Sequence, residues 1–239
     1  MITPVTRTGG TAGLHAGLLE KLGRLIADGD LAEGQVLRTE ELEEHYAVSR
    51  TVAREAIRVL ESMGLVTSRR RVGVTVTPRA QWNVFDPMLI RWRLAGGGRA
   101  DQLRSLSELR AGFEPAAARY AATRATPEQC GILTGAVMDM AVHGRAGDLQ
   151  PYLEADILFH RTLLEASGNE MLAALADVVA EVLSGRTLHG LMPATPEPGA
   201  IRLHADVAQA VQARDADAAH RAMSEIITEA AGAMLAGEP

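Results

Sequence analysis

The chain of 239 residues holds a single cysteine, only eight aromatic residues, and no stretch of the roughly 18 consecutive apolar residues that a membrane span requires. Cys130 alone excludes an internal disulfide and any thiolate cluster built by one chain; it fits a reducing compartment and is expected to fill space. With aromatics at 3%, the stacking platforms of single-stranded nucleic-acid binders are missing, which leaves duplex as the more natural nucleic-acid partner. Positive charge is also scarce: 24 Lys and Arg stand against 30 Asp and Glu, a net charge of -6 that would repel a polyanion if spread evenly. The first 13 residues show no basic segment followed by an apolar core, so no leader is expected and the expected location is cytoplasmic.

The charge is not spread evenly. Between residues 48 and 79 lie seven arginines (50, 54, 58, 69, 70, 71 and 79) against two acids, Glu55 and Glu61. Arg50, Arg54 and Arg58 recur at i+4 and share one helical face, while Val52, Ala56, Val59 and Leu60 line another. Ser49 is placed to cap that helix, and residues 40–46 supply a second short helix upstream with Thr39 as its expected cap. Helix, tight turn and basic helix form a DNA-reading arrangement. Downstream, Val and Thr alternate on both sides of a basic tip containing Gly73, the pattern of a two-stranded hairpin or wing, with Val36 and Leu37 as a further short extended piece.

In such a head, Arg50 and Arg54 are expected to meet base edges as bidentate donors, and Arg58 to meet phosphate or stay solvated. Ser49 and Thr51 are expected on phosphate, Arg69, Arg70 and Arg71 on the wing, and Gly73 where backbone approaches DNA closely.

An amphipathic helix over residues 14–26, with Leu18, Leu19, Leu22, Leu25 and Ile26 as its stripe, precedes the head. After Pro78 the strand pattern ends. Trp82, Phe85 and Trp92 cluster here, which suggests a linker pinned to a surface. Beyond it alanine is abundant and breakers fall at intervals, predicting helices over 88–95, 101–123, 127–143, 148–167, 169–189, 200–213 and 215–235. The expected division is a DNA-binding domain over 1–78, a linker with a first packing helix over 79–99, and a helical domain over 100–239. The fold class is mainly α.

Taken together, Gly34-x-x-Leu37, Glu41-Leu42, residues 48–51, 54–57 and 60–61, Gly64-Leu65-Val66 and the wing resemble the winged helix-turn-helix of GntR-type bacterial transcription regulators. Val52 stands where many members have proline, and Glu40 where some have a DNA-facing arginine. The second half is similar to the helical effector-binding domain of the FadR-like branch, called FCD, through Arg110 with Glu114-Pro115-Ala116, Asp156-x-x-x-His160, Gly168-Asn169, and His204 before Asp215. Residues 82–87 and Trp92 look like regulators of sugar-acid catabolism. A single winged domain makes too few contacts for a distinctive site, so a homodimer on a palindromic operator is expected, and the resemblance implies release by a small organic acid such as galactonate or a related sugar acid.

By spacing alone, Asp156 and His160 share a helical face and can be either an intrahelical polar pair or two ligands to one ion, with His204 arriving from another helix. The family resemblance implies a divalent metal there, Zn, Mn or Ni. It also implies a further histidine in the last helix, and that position is Ile226 here, so the alternative of a lost ion stays open. An acid in an apolar setting needs a cation. The resemblance places Arg110 facing the cavity and makes it the first candidate, followed by Arg186 with Ser184 beside it, and Asn169 is a cap that could also touch ligand. Two rivals remain on the sequence: a metal-dependent enzyme using Asp156, His160 and His204, which is disfavoured because Glu154 and Glu165 lie off the Asp156 face, and a constitutive DNA binder whose helical half only dimerises. No enzymatic activity is expected.

Overall fold

A computed structural model describes residues 11–69, 73–188 and 198–236. The chain divides into two compact units, residues 1–98 and 99–239. No helix among the described residues is long and apolar enough to cross a membrane.

The first unit contains α1 (Thr11–Asp28), β1 (Val36–Leu37), α2 (Thr39–Tyr46), α3 (Arg50–Ser62), β2 (Val66–Arg69), β3 (Gly73–Val76), a single 3-10 turn at Arg79–Gln81, and α4 (Pro87–Ala95). The strands form one antiparallel sheet in the order β1-β3-β2, with Leu37 opposite Val74 and Thr67 opposite Thr75. Its core is made by Leu18, Leu22 and Ile26 of α1, Ala53, Ala56 and Leu60 of α3, and Val74 and Val76 of β3, joined by Leu65. The Ser49 hydroxyl accepts from the Val52 N–H at 3.4 Å and caps α3 as expected. Thr39 does not cap α2. The Leu42 N–H already bonds the Arg38 carbonyl, so Arg38 holds the cap position without a side-chain bond and Thr39 is the first helical residue. Between the two helices Ala47 adopts a left-handed conformation, φ 51°, and closes the turn with its N–H on the Glu43 carbonyl.

The segment expected to link the domains is folded into this unit. The Thr77 hydroxyl donates to the Gly64 carbonyl, Trp82 Nε1–H to the Thr77 carbonyl at 3.2 Å, and the Asn83 N–H to the Met63 carbonyl at 2.8 Å. Asp86 caps α4, whose Leu89 and Trp92 enter the core, so the boundary falls after Gly98. Trp92 donates Nε1–H to Glu20 at 2.7 Å and packs its six-membered ring against Gly23, where a Cβ would stand 2.3 Å from the indole. Gly23→Ala is therefore expected to lower the stability of the chain by about 1–3 kcal/mol through overpacking, although alanine is the better helix former. Denaturation followed by tryptophan fluorescence checks this, and an unchanged midpoint would contradict it.

The second unit is helical throughout its described residues: α5 (Arg99–Arg124), α6 (Pro127–Ala146), α7 (Leu149–Ala166), α8 (Glu170–Ala173), α9 (Ala176–Leu188), α10 (Pro198–Gln212) and α11 (Ala216–Ala236). Helix α5 packs on α11, α7 and α10, and α7 packs on α6 and α9. One core joins Ala118 and Ala122 of α5 to Leu133 of α6, Phe159 of α7, Val207 of α10 and Met223 of α11. A second joins Phe113 of α5 to Leu153 and Leu164 of α7 and Val179 and Leu183 of α9. Because α7 supplies both cores, only a stripe through Glu154, Leu158 and Glu165 stays exposed, and Tyr152, Asp156, His160 and Thr162 are buried with the apolar residues.

The single helix expected over 169–189 is two. Asn169 caps α8, a tighter bond from the Leu175 N–H to the Leu172 carbonyl ends it, and α9 restarts at Ala176. No breaker marks the spot in Ala173–Ala176. Packing of Val179 and Leu183 against α7 and α5 redirects the chain, a tertiary effect that overrides propensity.

Candidate functional site: a basic helix face and a buried donor trio

On the first unit, burial of Val52, Ala53, Ala56, Ile57 and Leu60 turns the opposite face of α3 outward. Arg50, Arg54 and Arg58 are all exposed on it, with Ser49 and Thr51 at its start. Arg50, Arg54, Arg58 and Glu61 form one wall of a groove whose other wall is Arg69 and Gly73 of the wing. Glu61 accepts from the Ser68 N–H at 2.7 Å and ties the end of α3 to that wing. Arg58 is paired with Glu55 at 2.5 Å, whereas Arg50 and Arg54 have no ion-pair partner among the described residues. Two unpaired guanidinium groups one helical turn apart can donate in bidentate fashion to guanine edges or phosphate. Arg70 and Arg71 lie outside the described residues. Gly73 has φ +113°, and a Cβ there would stand 3.0 Å from Val36 and 3.3 Å from the Leu37 carbonyl, so the chain's own β1 already requires glycine at this position.

In the second unit, α7 carries Tyr152, Asp156 and His160 at successive i+4 positions, all buried. His204 of α10 joins them, 4% exposed. Asp156 Oδ1 lies 3.4 Å from His160 Nε2 and 3.3 Å from His204 Nε2. His204 Nδ1 donates to the Ala200 carbonyl at 2.7 Å, and since a carbonyl only accepts, that nitrogen carries a proton and Nε2 is the atom that faces Asp156. His160 Nδ1 is 2.5 Å from Glu114 Oε2, and Glu114 is also bonded by Arg110, so a carboxylate holds the Nδ1 proton there and Nε2 again faces Asp156. Asp156 Oδ1 and His204 Nε2 are buried without any hydrogen bond.

Burial pushes the Glu114 carboxyl up, but Arg110 and His160 together overcome it and hold the group at about 2. Asp156 is likewise penalised by burial yet held well below the usual carboxylate range by His160 and His204. For His160, burial lowers the pKa and the Glu114 and Asp156 charges more than reverse this. Two ionised carboxylates beside two imidazoles make a site that attracts cations.

Donor atoms around one ion at about 2.0–2.2 Å stand about 3.0–3.4 Å apart. The Asp156–His160 and Asp156–His204 separations meet that spacing, and all three donor atoms lie within 4.8 Å of one another. One carboxylate oxygen and two imidazole Nε2 atoms, which give up any proton when an ion binds, therefore fit a divalent ion. Ile226 is buried in the apolar core with Phe159.

The other sequence candidates separate. Arg110 is buried and bonded to Glu114. Arg186, in the last turn of α9, has a buried Nε with no hydrogen bond, and it is close enough to Asp156, Tyr152 and Arg110 for their charges to act on it. Ser184 is two residues earlier on the same helix and so faces away from Arg186. Asn169 accepts from the Met171 N–H at 3.0 Å as the cap of α8, and no hydrogen bond or ion pair links it to the Asp156 group. Glu114 and Tyr152 were missed as site residues, although each stands four residues from a partner, Arg110 and Asp156, the spacing that places two side chains on one helix face.

Family models agree with this division: the bacterial regulatory proteins, gntR family, over residues 14–76, and the FCD domain over residues 105–229. The galactonate operon transcriptional repressor of Escherichia coli K12 is 31% identical over 210 residues, covering 86% of this chain and 90% of that protein. The chain belongs to the GntR family of transcription regulators, in its FCD-bearing branch. The transcriptional repressor NanR of Cronobacter sakazakii is also 31% identical, over 215 residues, covering 85% of this chain and 78% of its own. Among solved structures, Escherichia coli McbR/YncC shares the fold at a TM-score of 0.54 and 19% identity, over 93% of this chain and 97% of that one. As a GntR regulator the protein binds operator DNA through the first unit and responds to a small molecule through the second.

Proposed function

We propose that this regulator is a homodimeric repressor of a sugar-acid catabolic operon, released from a palindromic operator by galactonate or a closely related acid, in the cytoplasm. Support comes from the two repressors named above, and above all from the buried trio of Asp156, His160 and His204 with the Nδ1 of each histidine already bonded and its Nε2 turned to Asp156. Zn²⁺, Mn²⁺ or Ni²⁺ held by these three would supply a positive charge and open coordination positions for acid oxygens. The chain's own residues do the rest. Glu114 holds the His160 proton at Nδ1, the Ala200 carbonyl holds that of His204, and apolar packing around Phe159 excludes water.

On the DNA side, Arg50 and Arg54 read base edges, Ser49 and Thr51 hold phosphate, and Arg58, weakened by Glu55, contributes least. A single winged head makes few contacts, so two heads on a two-fold symmetric site supply specificity. The acid acts by favouring a domain arrangement that misfits the half-site spacing, a shift in populations. Footprinting of the DNA upstream of the protein's own gene is expected to show two protected half-sites about one helical turn apart, lost on adding D-galactonate or another member of a sugar-acid panel. Protection that survives the whole panel would remove the effector reading, and a single unpaired patch would remove the dimer.

A further inference from the structure

Helix α6 is apolar on two opposite sides. Leu133, Ala136, Met140 and Gly144 are buried on one, and the helix packs on α7 and α10. On the other, Glu128, Gly131, Gly135, Met138, Val142 and Arg145 follow one another at alternating steps of three and four residues, the spacing of a coiled-coil seam. None of these six is buried, and Met138 and Val142 are 64% and 55% exposed.

The two glycines of the seam serve no contact within the chain. A Cβ at Gly131 or at Gly135 would meet no atom within 4 Å, and neither has a positive φ, so alanine would fit both places and make the better helix. What glycine gives on an exposed seam is close approach by a second backbone. Beside the pair runs a groove of about 610 Å³, lined by Gly131, Thr134 and Gly135 of α6, Ala125 of α5 and Val211 of α10.

The seam is complementary to itself when reversed. Turned end for end about a two-fold axis between Ala136 and Val137, it sets Gly135 level with Met138 of the other copy, Gly131 level with Val142, and Glu128 level with Arg145. Each large apolar side chain then meets a glycine, and each acid meets a base. Neither Glu128 nor Arg145 has an ion-pair partner among the described residues; the Arg145 Nε–H donates to the Ala141 carbonyl of its own helix at 2.9 Å. A parallel pair in register would instead set Glu128 beside Glu128 and Met138 beside Met138, losing both matches and aligning the helix dipoles.

Resting on the homodimer reading above, we propose that α6 pairs antiparallel with α6 of a second copy of this chain, Met138 of each copy entering the groove beside Gly131 and Gly135 of the other, with a Glu128–Arg145 pair at either end. Such a contact is isologous and closes on two chains. Its helix packs directly on α7, which carries Asp156 and His160, so the seam lies one helix away from the donor trio.

The test uses the full chain without DNA, its dimer dissociation constant read by analytical ultracentrifugation over a concentration series. Met138→Glu is expected to raise that constant about a hundredfold or more, because two carboxylates would be buried against the apolar groove, while circular dichroism shows the helices retained. Glu128→Arg and Arg145→Glu are each expected to weaken the dimer about two- to thirtyfold, the scale of two exposed ion pairs, and the double exchange to restore most of it. A further variant keeps the result readable if Met138→Glu does not fold. Met138 stands close to the axis, so Met138→Cys combined with Cys130→Ala is expected to form a disulfide with its own counterpart under mild oxidation, whereas Leu158→Cys on α7 in the same background is not. A dimer of undiminished affinity in Met138→Glu, or no Met138→Cys cross-link above that of the Leu158→Cys control, would overturn the seam and leave the homodimer reading standing. A wild-type chain that stays monomeric would overturn both.

Discussion

Arg54→Ala is expected to abolish preferential binding of the operator over random duplex while leaving the fold intact. Arg54 is exposed, lies in the groove between α3 and the wing, and has no ion-pair partner among the described residues, so its removal disturbs no packing. A bidentate arginine–guanine contact discriminates by about 1–3 kcal/mol, and a two-fold dimer loses it in both half-sites, so the specificity ratio falls by about two to four powers of ten. Non-specific affinity, carried by phosphate contacts, drops far less. Arg58→Ala serves as the control: its side chain is engaged by Glu55, and its loss is expected to change the salt slope slightly and the specificity hardly at all. Anisotropy titrations of operator and scrambled duplex at matched salt measure both. Equal discrimination by wild type and Arg54→Ala would remove the assigned role.

Asp156→Asn is expected to abolish stabilisation by zinc. Asp156 Oδ1 is the atom both histidines face, and an amide in its place offers only a neutral donor oxygen. Zinc at a hundredfold excess over its dissociation constant stabilises a folded protein by about 2.7 kcal/mol, and the variant is expected to forfeit nearly all of that shift. Chelation of the wild type with EDTA should produce the same loss. The variant retains the shape of the side chain, so a folded apo protein remains available for the comparison. Thermal unfolding with and without zinc, paired with metal analysis of the purified chain, reads the result. Zinc retained by Asp156→Asn in full stoichiometry would show that the trio is not the metal site.

Much of the DNA-reading half was legible from local rules. The arginine face of α3 follows from i+4 spacing, and its start from the hydroxyl at Ser49, which does accept the Val52 N–H. Helix ends in the second unit obey equally local signals. Thr126 and Gln129 form a reciprocal cap on α6, and Gly147 closes it with φ 75°. Where tertiary contacts decided the outcome, the local signals fell short. The break between α8 and α9 lies in a run of good helix formers, and the closeness of β1 to Gly73 gives that glycine a structural reason no local pattern showed. The same limit applied to the effector half. Spacing within α7 placed Asp156 with His160, but that α5 would bring Glu114 to His160 and leave Arg110 occupied depends on how α5, α7 and α10 pack, which no single-helix pattern encodes.

The central claim is that the donor trio of the helical half governs the hold of the winged half on DNA. Its most direct test is an operator titration of zinc-loaded wild type and of Asp156→Asn, each with and without D-galactonate. The expected result is that the acid weakens operator affinity of the wild type by about tenfold or more, within the usual range of allosteric coupling, and leaves Asp156→Asn bound. Release of both proteins by the acid, or of neither, would contradict it.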